Sequence, residues 1–196
     1  MAPDVLVAAL AALQEAADAV PSEKLGAATP CAEWNVGQVL MHAAGDQHAW
    51  AATIGSAAMP AYNPFDPPGD AVGGGGVASA VRGAVEVASS TWAALNPAAA
   101  TVPTPLPPVP ELAPGLAAAA AALDAAVHAW DVAVATGQPS PLTDELAAQL
   151  QPAADATVEP LRGFAYGPAL PASPGDGSAA ALLRYVGRDP HWSPAG

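Results

Sequence analysis

Four long segments of this 196-residue chain repeat their apolar residues at steps of three and four, the spacing of one face of an α-helix. The first segment ends before Pro21, and the second spans about 34–54. The third begins near Val77, and the fourth spans about 115–136. Proline- and glycine-rich sequence lies between them. Their apolar residues are mainly Ala and Val, which favours closely packed helices over a sheet core. Hydrophobic residues make up 52% of the chain and charged residues 12%, a balance typical of a compact protein. The sequence therefore predicts an all-α fold, a four-helix bundle.

Two long connections interrupt the predicted bundle. Segments 59–76 and 97–114 are rich in proline, which excludes a helix and disfavours a central strand. A short edge hairpin stays open as an alternative for the second segment. The cores of helix bundles are a usual place for metal and cofactor sites built from facing side chains.

Further short helices are predicted after the bundle. Thr143 is a favourable N-cap for a fifth helix, which Pro152 is expected to kink or split. A short last helix follows over residues 179–186. We expect one domain over residues 1–196, with the C-terminal segment 165–196 packing on the bundle.

The charge balance excludes several kinds of partner. Five Lys and Arg against 18 Asp and Glu give a net charge of −13, so the surface repels nucleic-acid phosphates and anionic lipids.

The apolar run 112–123 is too short to cross a bilayer, and the N-terminus lacks the basic region of a signal peptide. The single cysteine, Cys31, forms no internal disulfide. We therefore expect a cytoplasmic monomer or homodimer whose partner is a small molecule.

Two imidazoles and a carboxylate have matching helical phases. Asp124 and His128 are four residues apart, so on a helix they lie one above the other, and His42 lies at the edge of the buried face of the second helix. Such a set can bind one divalent cation and leave positions open for water or substrate. The spacing also fits a charge-assisted pair on a solvated face and a hydrogen-bonded histidine in the core. Asp131, one turn after His128, is expected to orient that imidazole or to act as a base.

Four further residues are candidates for binding a substrate. Trp34, Trp50 and Tyr62 are expected to line the pocket, although tryptophan more often belongs to the core. Arg82 either meets an anionic group of the substrate or pairs with Glu86 at the i+4 position.

Several segments together resemble a known family. They are 29–36 (TPCAEWNV), 40–42 (LMH), 127–137 (VHAWDVAVATG) and 182–190 (LLRYVGRDP). In this order they resemble the actinobacterial metal-binding branch of the DinB-like superfamily, which is similar to the N-terminal domain of mycothiol-dependent maleylpyruvate isomerases. The resemblance covers nearly the whole chain.

The resemblance implies a DinB-like bundle that binds a divalent metal, usually zinc or nickel, through His42, Asp124 and His128. The isomerase pattern has Glu where this chain has Asp124, which is one methylene shorter. The resemblance also implies a thiol-dependent transferase or isomerase, in which the metal lowers the pKa of mycothiol or a related thiol. Activation of water and activation of a substrate carbonyl are the alternatives to activation of a thiol.

The chain also differs from the full isomerase. It stops soon after residue 190, before the additional domain of that enzyme, and its few Lys and Arg residues suit a dicarboxylate substrate poorly. We expect a less charged, hydrophobic substrate, such as an intermediate of specialised metabolism. One alternative is a non-catalytic bundle that binds a metal or a small ligand. Another is a metal-free bundle in which the polar stripe is only structural.

Overall fold

The computed structural model describes residues 3–55, 57–69, 76–96 and 98–194. These residues form a mostly helical fold, so the predicted all-α class is confirmed. The hairpin that the sequence left open is present as a two-stranded antiparallel sheet. In chain order the elements are α1 (Asp4–Asp18), α2 (Val36–Thr53), α3 (Val77–Ala94), β1 (Val102–Pro103), β2 (Glu111–Leu112), α4 (Pro114–Thr136), α5 (Asp144–Leu161) and α6 (Ser178–Tyr185).

Helix α4 lies at the centre of the bundle and packs against α1, α2 and α5. Its first half is a run of alanines, Ala117 to Ala122, and none of them is more than 7% exposed. Alanine has only a methyl side chain, so neighbouring helices approach α4 closely and the interior stays densely packed. A buried hydrogen bond of 3.0 Å from Gln47 Nε2 to the carbonyl of Ala121 fixes α2 against this run.

The apolar character of α4 follows from this central position. By length and composition alone the helix is long and apolar enough to cross a bilayer, because it extends beyond the apolar run 112–123 to Thr136. However, 89% of its most apolar window is buried inside the protein. The apolar surface of α4 is therefore covered by the other helices of the bundle.

Side chains fix the boundaries of the helices that carry the site. Asn35 accepts a hydrogen bond of 2.9 Å from the Gln38 backbone N–H, and the Gln38 side chain accepts one from the Asn35 backbone in return. This capping box sets the start of α2 and contributes about 1 kcal/mol to stability. Gly137 ends α4 in the left-handed conformation, and Thr143 caps α5 as predicted.

Pro152 does not split α5, which continues from Asp144 to Leu161. A proline inside a helix removes one backbone hydrogen bond and costs about 3 kcal/mol. Burial offsets this cost, because Leu150, Ala153 and Ala154 next to the proline are fully buried and α5 packs along both α4 and α6. Tertiary packing thus outweighs the local preference.

The loop 57–69 is bound to the surface of α2. Tyr62 Oη donates a 2.6 Å hydrogen bond to the carbonyl of Met41, and the Gln38 side-chain amide donates to the carbonyl of Pro67 at 3.4 Å. The loop also lies against the backbone of α2 at Gly37, where Gly69 approaches. The rest of the predicted connection, residues 70–75, lies outside the described residues.

Replacing Gly37 by alanine is expected to destabilise the protein, because a Cβ atom there overlaps the carbonyl oxygen of Gly69. We expect the free energy of unfolding to fall by about 1–3 kcal/mol, the range for overpacked sites. Gly83→Ala on α3 is the matched control, since a Cβ there has no neighbour within 4 Å. This control should gain about 0.5–1 kcal/mol. Urea unfolding followed by circular dichroism measures both, and equal stabilities of the two variants would contradict the close approach.

Candidate metal centre

His42, Asp124 and His128 converge at one point between α2 and α4. Asp124 Oδ1 lies 3.6 Å from His42 Nε2 and 3.4 Å from His128 Nε2. One potential ligand atom from each of the three residues lies within 4.8 Å of the other two. The helical phases of the sequence therefore translate into a cluster in space. The capping box at Asn35 and the alanine packing of α4 set the two helices in this register.

The second nitrogen of each imidazole is engaged by a fixed acceptor. His42 Nδ1 lies 2.7 Å from the carbonyl oxygen of Pro64, and His128 Nδ1 lies 3.0 Å from Asp131 Oδ2. A carbonyl oxygen only accepts, so His42 Nδ1 carries a proton and its Nε2 faces the cluster. Metal-binding histidines generally have such a partner on the other ring nitrogen.

Asp131 is fully buried behind His128, and it also accepts hydrogen bonds from Arg188. The guanidinium donates through Nε at 3.3 Å and through Nη2 at 3.1 Å to the two carboxylate oxygens. Although burial alone raises the pKa of Asp131, Arg188 and the hydrogen bond from His128 keep it below its usual value. Of the two predicted roles for Asp131, this geometry favours orientation of His128 over action as a base.

The cluster fits a divalent metal ion. Zinc binds histidine nitrogen and carboxylate oxygen at about 2.0–2.2 Å, so two ligands of a tetrahedral ion lie about 3.4 Å apart. Asp124 Oδ1 lies at a similar distance from each imidazole nitrogen, 3.4 Å from His128 Nε2 and 3.6 Å from His42 Nε2. In addition, Asp124 Oδ2 is buried and has no hydrogen-bond partner among the described residues. A buried carboxylate oxygen without a donor is costly, and a cation at this point removes that cost.

The charged groups of the cluster shift one another's pKa values. Burial by itself lowers the pKa of His128, but Asp124 and Asp131 beside the ring raise it to about 10. Conversely, burial opposes ionisation of Asp124, yet His128 and His42 hold the pKa of this carboxyl well below its usual value. In the absence of a metal, His128 is therefore the cation that neutralises Asp124 at neutral pH.

A cavity of about 480 Å³ opens beside the cluster. This volume lies in the ordinary range of sites for small molecules. Two of the predicted substrate-binding residues, Trp34 and Trp50, line it. The Trp34 ring centroid lies 4.4 Å from that of His42, so the indole covers one side of this ligand. Trp50 is completely buried and belongs to the core as well.

Two other predicted substrate-binding residues lie elsewhere. Tyr62 does not line this cavity and instead braces the loop 57–69 against α2. Arg82 is exposed on α3, where its Nη2 lies 2.9 Å from Asp18 Oδ1. The ion-pair partner of Arg82 is thus on α1 and is not Glu86. The i+4 spacing that predicted Glu86 considers one helix alone and takes no account of a neighbouring helix.

Sequence reasoning missed several polar residues of the cavity wall, among them Arg188, Asp46 and Tyr166. Burial raises the pKa of Asp46 well above its usual value, and the charge of Asp124 raises it further. Burial also raises the pKa of Tyr166. The only sequence signal for Asp46 was its position four residues after His42, on the same stripe of α2. Arg188 lies in the LLRYVGRDP segment after the last helix, where helical phase cannot predict the position of a side chain.

Cys31 also lines the cavity and is half-buried. Burial raises the pKa of its thiol, although His128 and Arg188 oppose this shift. The neutral thiol is therefore favoured at pH 7, and a neutral thiol is a much weaker nucleophile than a thiolate.

Asp131→Asn is expected to weaken metal binding about 10–100-fold, because the neutral amide orients and polarises His128 less well. The matched control is Asp155→Asn, since Asp155 is an exposed carboxylate on α5 away from the cluster. Competition of each protein with a zinc indicator gives the affinities. If the two variants bind zinc equally well, Asp131 has no role in positioning His128.

Metal binding is expected to release about one proton at pH 7.5. In the metal-free protein the pKa of His128 is about 10, so below that pH the ring is protonated and must lose its proton before Nε2 can bind an ion. The apparent affinity for zinc should consequently rise about tenfold per pH unit between pH 7 and pH 9. Calorimetry in buffers of different ionisation enthalpy measures the proton count. Binding without proton release would mean that His128 is neutral in the metal-free protein or is not a ligand.

Comparisons with known proteins identify the family of the chain. The family described as mycothiol maleylpyruvate isomerase N-terminal domain matches residues 6–133, which include His42, Asp124 and His128. The chain is 35% identical over 145 residues to the uncharacterized proteins Rv0738 and MT0763 of two Mycobacterium tuberculosis strains, H37Rv and CDC 1551. The matched region is 72% of this chain and 70% of each relative. No solved structure matches the chain. The chain belongs to the family of the mycothiol maleylpyruvate isomerase N-terminal domain.

Proposed function

We propose that this protein is a divalent-metal-dependent enzyme that activates a low-molecular-weight thiol, such as mycothiol, for transfer to or isomerisation of a small apolar electrophile. One observation carries the proposal: the Nε2 atoms of His42 and His128 and a carboxylate oxygen of Asp124 converge at the wall of a cavity of about 480 Å³. Family membership supports mycothiol as the cosubstrate. Zinc is the ion that we favour, with nickel as the other option, because imidazole and carboxylate ligands suit both.

His42, Asp124 and His128 would hold the ion, which would supply positive charge that lowers the pKa of a thiol or a water molecule beside it. The carbonyl of Pro64 and the carboxylate of Asp131 keep the two imidazole rings in the orientation that points Nε2 at the cluster. Arg188 holds Asp131 in place from the other side. The chain thus provides a preorganised set of donors on rigid helices.

Asp46 is the group that we propose for proton transfer. Its carboxyl lines the cavity one helical turn after His42, and its raised pKa keeps it closer to neutral pH than an ordinary aspartate. A carboxyl with such a pKa can accept a proton at its oxygen and return it within one catalytic cycle. Trp34 excludes water from one side of His42, which strengthens the electrostatic interactions inside the site.

The charge of the cavity supports an uncharged substrate. Arg188 is the one Lys or Arg among the described lining residues, and Asp131 already neutralises it. Glu33 and Asp46 add carboxyl groups to the wall. A dicarboxylate such as maleylpyruvate finds no free guanidinium here, so we propose a less charged metabolite instead. We also propose a cytoplasmic location. We propose no nucleic-acid partner, because a net charge of −13 repels phosphates.

Metal analysis of protein purified without added metal tests the proposal first. We expect about one equivalent of a divalent metal in the unaltered protein and little in His42→Ala or His128→Ala, because each loses one of three ligands. His48→Ala is the matched control, since His48 lies on the same helix but lines a different groove. Equal metal content in all four proteins would remove the metal centre.

Activity is then measured as consumption of small electrophiles with and without mycothiol. We expect thiol-dependent turnover in the metal-loaded protein and in His48→Ala, and its loss in the two ligand variants. A protein that retains its metal but consumes no electrophile in either condition would instead be a non-catalytic bundle that binds a metal or small ligand.

A further inference from the structure

Three of the four large apolar side chains that are exposed in the described part of the chain surround one opening. Met59, Phe65 and Phe164 are 64%, 48% and 62% exposed, and all three line the cavity of the metal centre. The fourth, Val7, lies on α1 and does not line it. The histidines at the other end of the cavity are each only 7% exposed, so the cavity opens towards the phenyl rings. Apolar side chains gathered at an opening indicate a binding surface.

Phe65 and Phe164 form a continuous aromatic surface. Their ring centroids lie 5.0 Å apart with an angle of 46° between the planes. The Phe65 ring also lies 5.8 Å from the imidazole of His42. The aromatic surface therefore extends from a metal ligand to the outside of the protein, and it joins the loop 57–69 to the turn that follows α5.

The backbone holds both phenyl groups in place. The Phe65 N–H donates to Asn63 Oδ1 at 3.0 Å, and the carbonyl of the preceding Pro64 accepts the hydrogen bond of His42. On the other side, the Phe164 N–H donates to the carbonyl of Leu161 at 3.1 Å. Gly163 before it has φ +78°, a left-handed conformation that favours glycine and makes this turn tight. The backbone that carries the two rings thus needs little ordering when a ligand binds.

We propose that Phe65 and Phe164 form a subsite for a flat, uncharged ring, aryl or conjugated, of the small molecule that reacts at the metal centre. This inference rests on the proposed function for the reacting end of the molecule. Aromatic rings interact at centroid separations of about 4.5–7 Å. Because Phe65 already lies 5.8 Å from His42, the ring and the reacting heteroatom of the substrate are separated by only a few bonds. The substrate class is therefore an aryl or arylmethyl compound with one polar group.

Two zinc-binding probes that differ only in their apolar part test the subsite on the zinc-loaded protein. Benzohydroxamate and acetohydroxamate share the same metal-binding group, so calorimetry of both isolates the contribution of the phenyl ring. We expect benzohydroxamate to bind about tenfold more tightly or better. In the Phe65→Ala, Phe164→Ala double variant the ratio should fall to near one, while the affinity for acetohydroxamate stays unchanged. Val7→Ala, which removes an exposed apolar side chain elsewhere, should keep the full ratio.

A ratio near one in the unaltered protein, or a full ratio in the double variant, would overturn the subsite. Failure of acetohydroxamate to bind would instead count against the metal centre, and a metal-free measurement then decides the subsite. N-phenyl-1-naphthylamine is uncharged, presents flat aryl rings and needs no metal, and its fluorescence reports binding to the metal-depleted protein. We expect about tenfold weaker binding in the double variant and no change in Val7→Ala. Equal affinity in all three proteins would overturn the subsite whether or not the protein binds zinc.

Discussion

The buried ion pair between Asp131 and Arg188 is the interaction on which the arrangement of the site depends. Asp131 has no exposed surface and lies between His128 and the guanidinium, so its charge is tolerated only because both partners are present. Arg188 follows α6, whereas His128 lies in the middle of α4. The pair therefore fixes the C-terminal part of the chain to the metal centre, and a loss of either partner leaves an uncompensated buried charge.

Close packing of small residues imposes a second constraint on the molecule. A run of alanines on the central helix brings the neighbouring helices close to it and leaves little free space around this run. The cavity consequently lies where α2 and α4 meet the connecting segments, and its outer wall comes from loops that carry Phe65, Leu106 and Phe164. The helices position the ligands with little freedom, and the connections determine the shape and polarity of the space in front of them.

Helical phase explains how much of this structure was predictable from sequence. The stripes that placed His42, Asp124 and His128 at one level are local properties of α2 and α4, and the structure brings these three residues together. Helical phase does not position residues in loops, so it did not predict that Phe65 and Arg188 lie at the site. It also fails where a neighbouring helix competes, because Arg82 pairs with Asp18 on α1 rather than along its own helix. Pro152 shows the same limit, since tertiary packing preserves a helix that local preference would interrupt.

The division of the cavity into a buried polar end and an exposed aromatic end has a chemical consequence. Asp124, Asp131 and Asp46 bring three carboxyl groups close to the histidines, and burial makes each unpaired charge costly. In the proposed function, a divalent ion and Arg188 would balance this set, so the polar end would need no further charge from the substrate. The aromatic end would add affinity through stacking and keep water away from the ligands. Selectivity would then come from the shape and polarisability of the substrate, and reactivity from the ion and the groups that hold it.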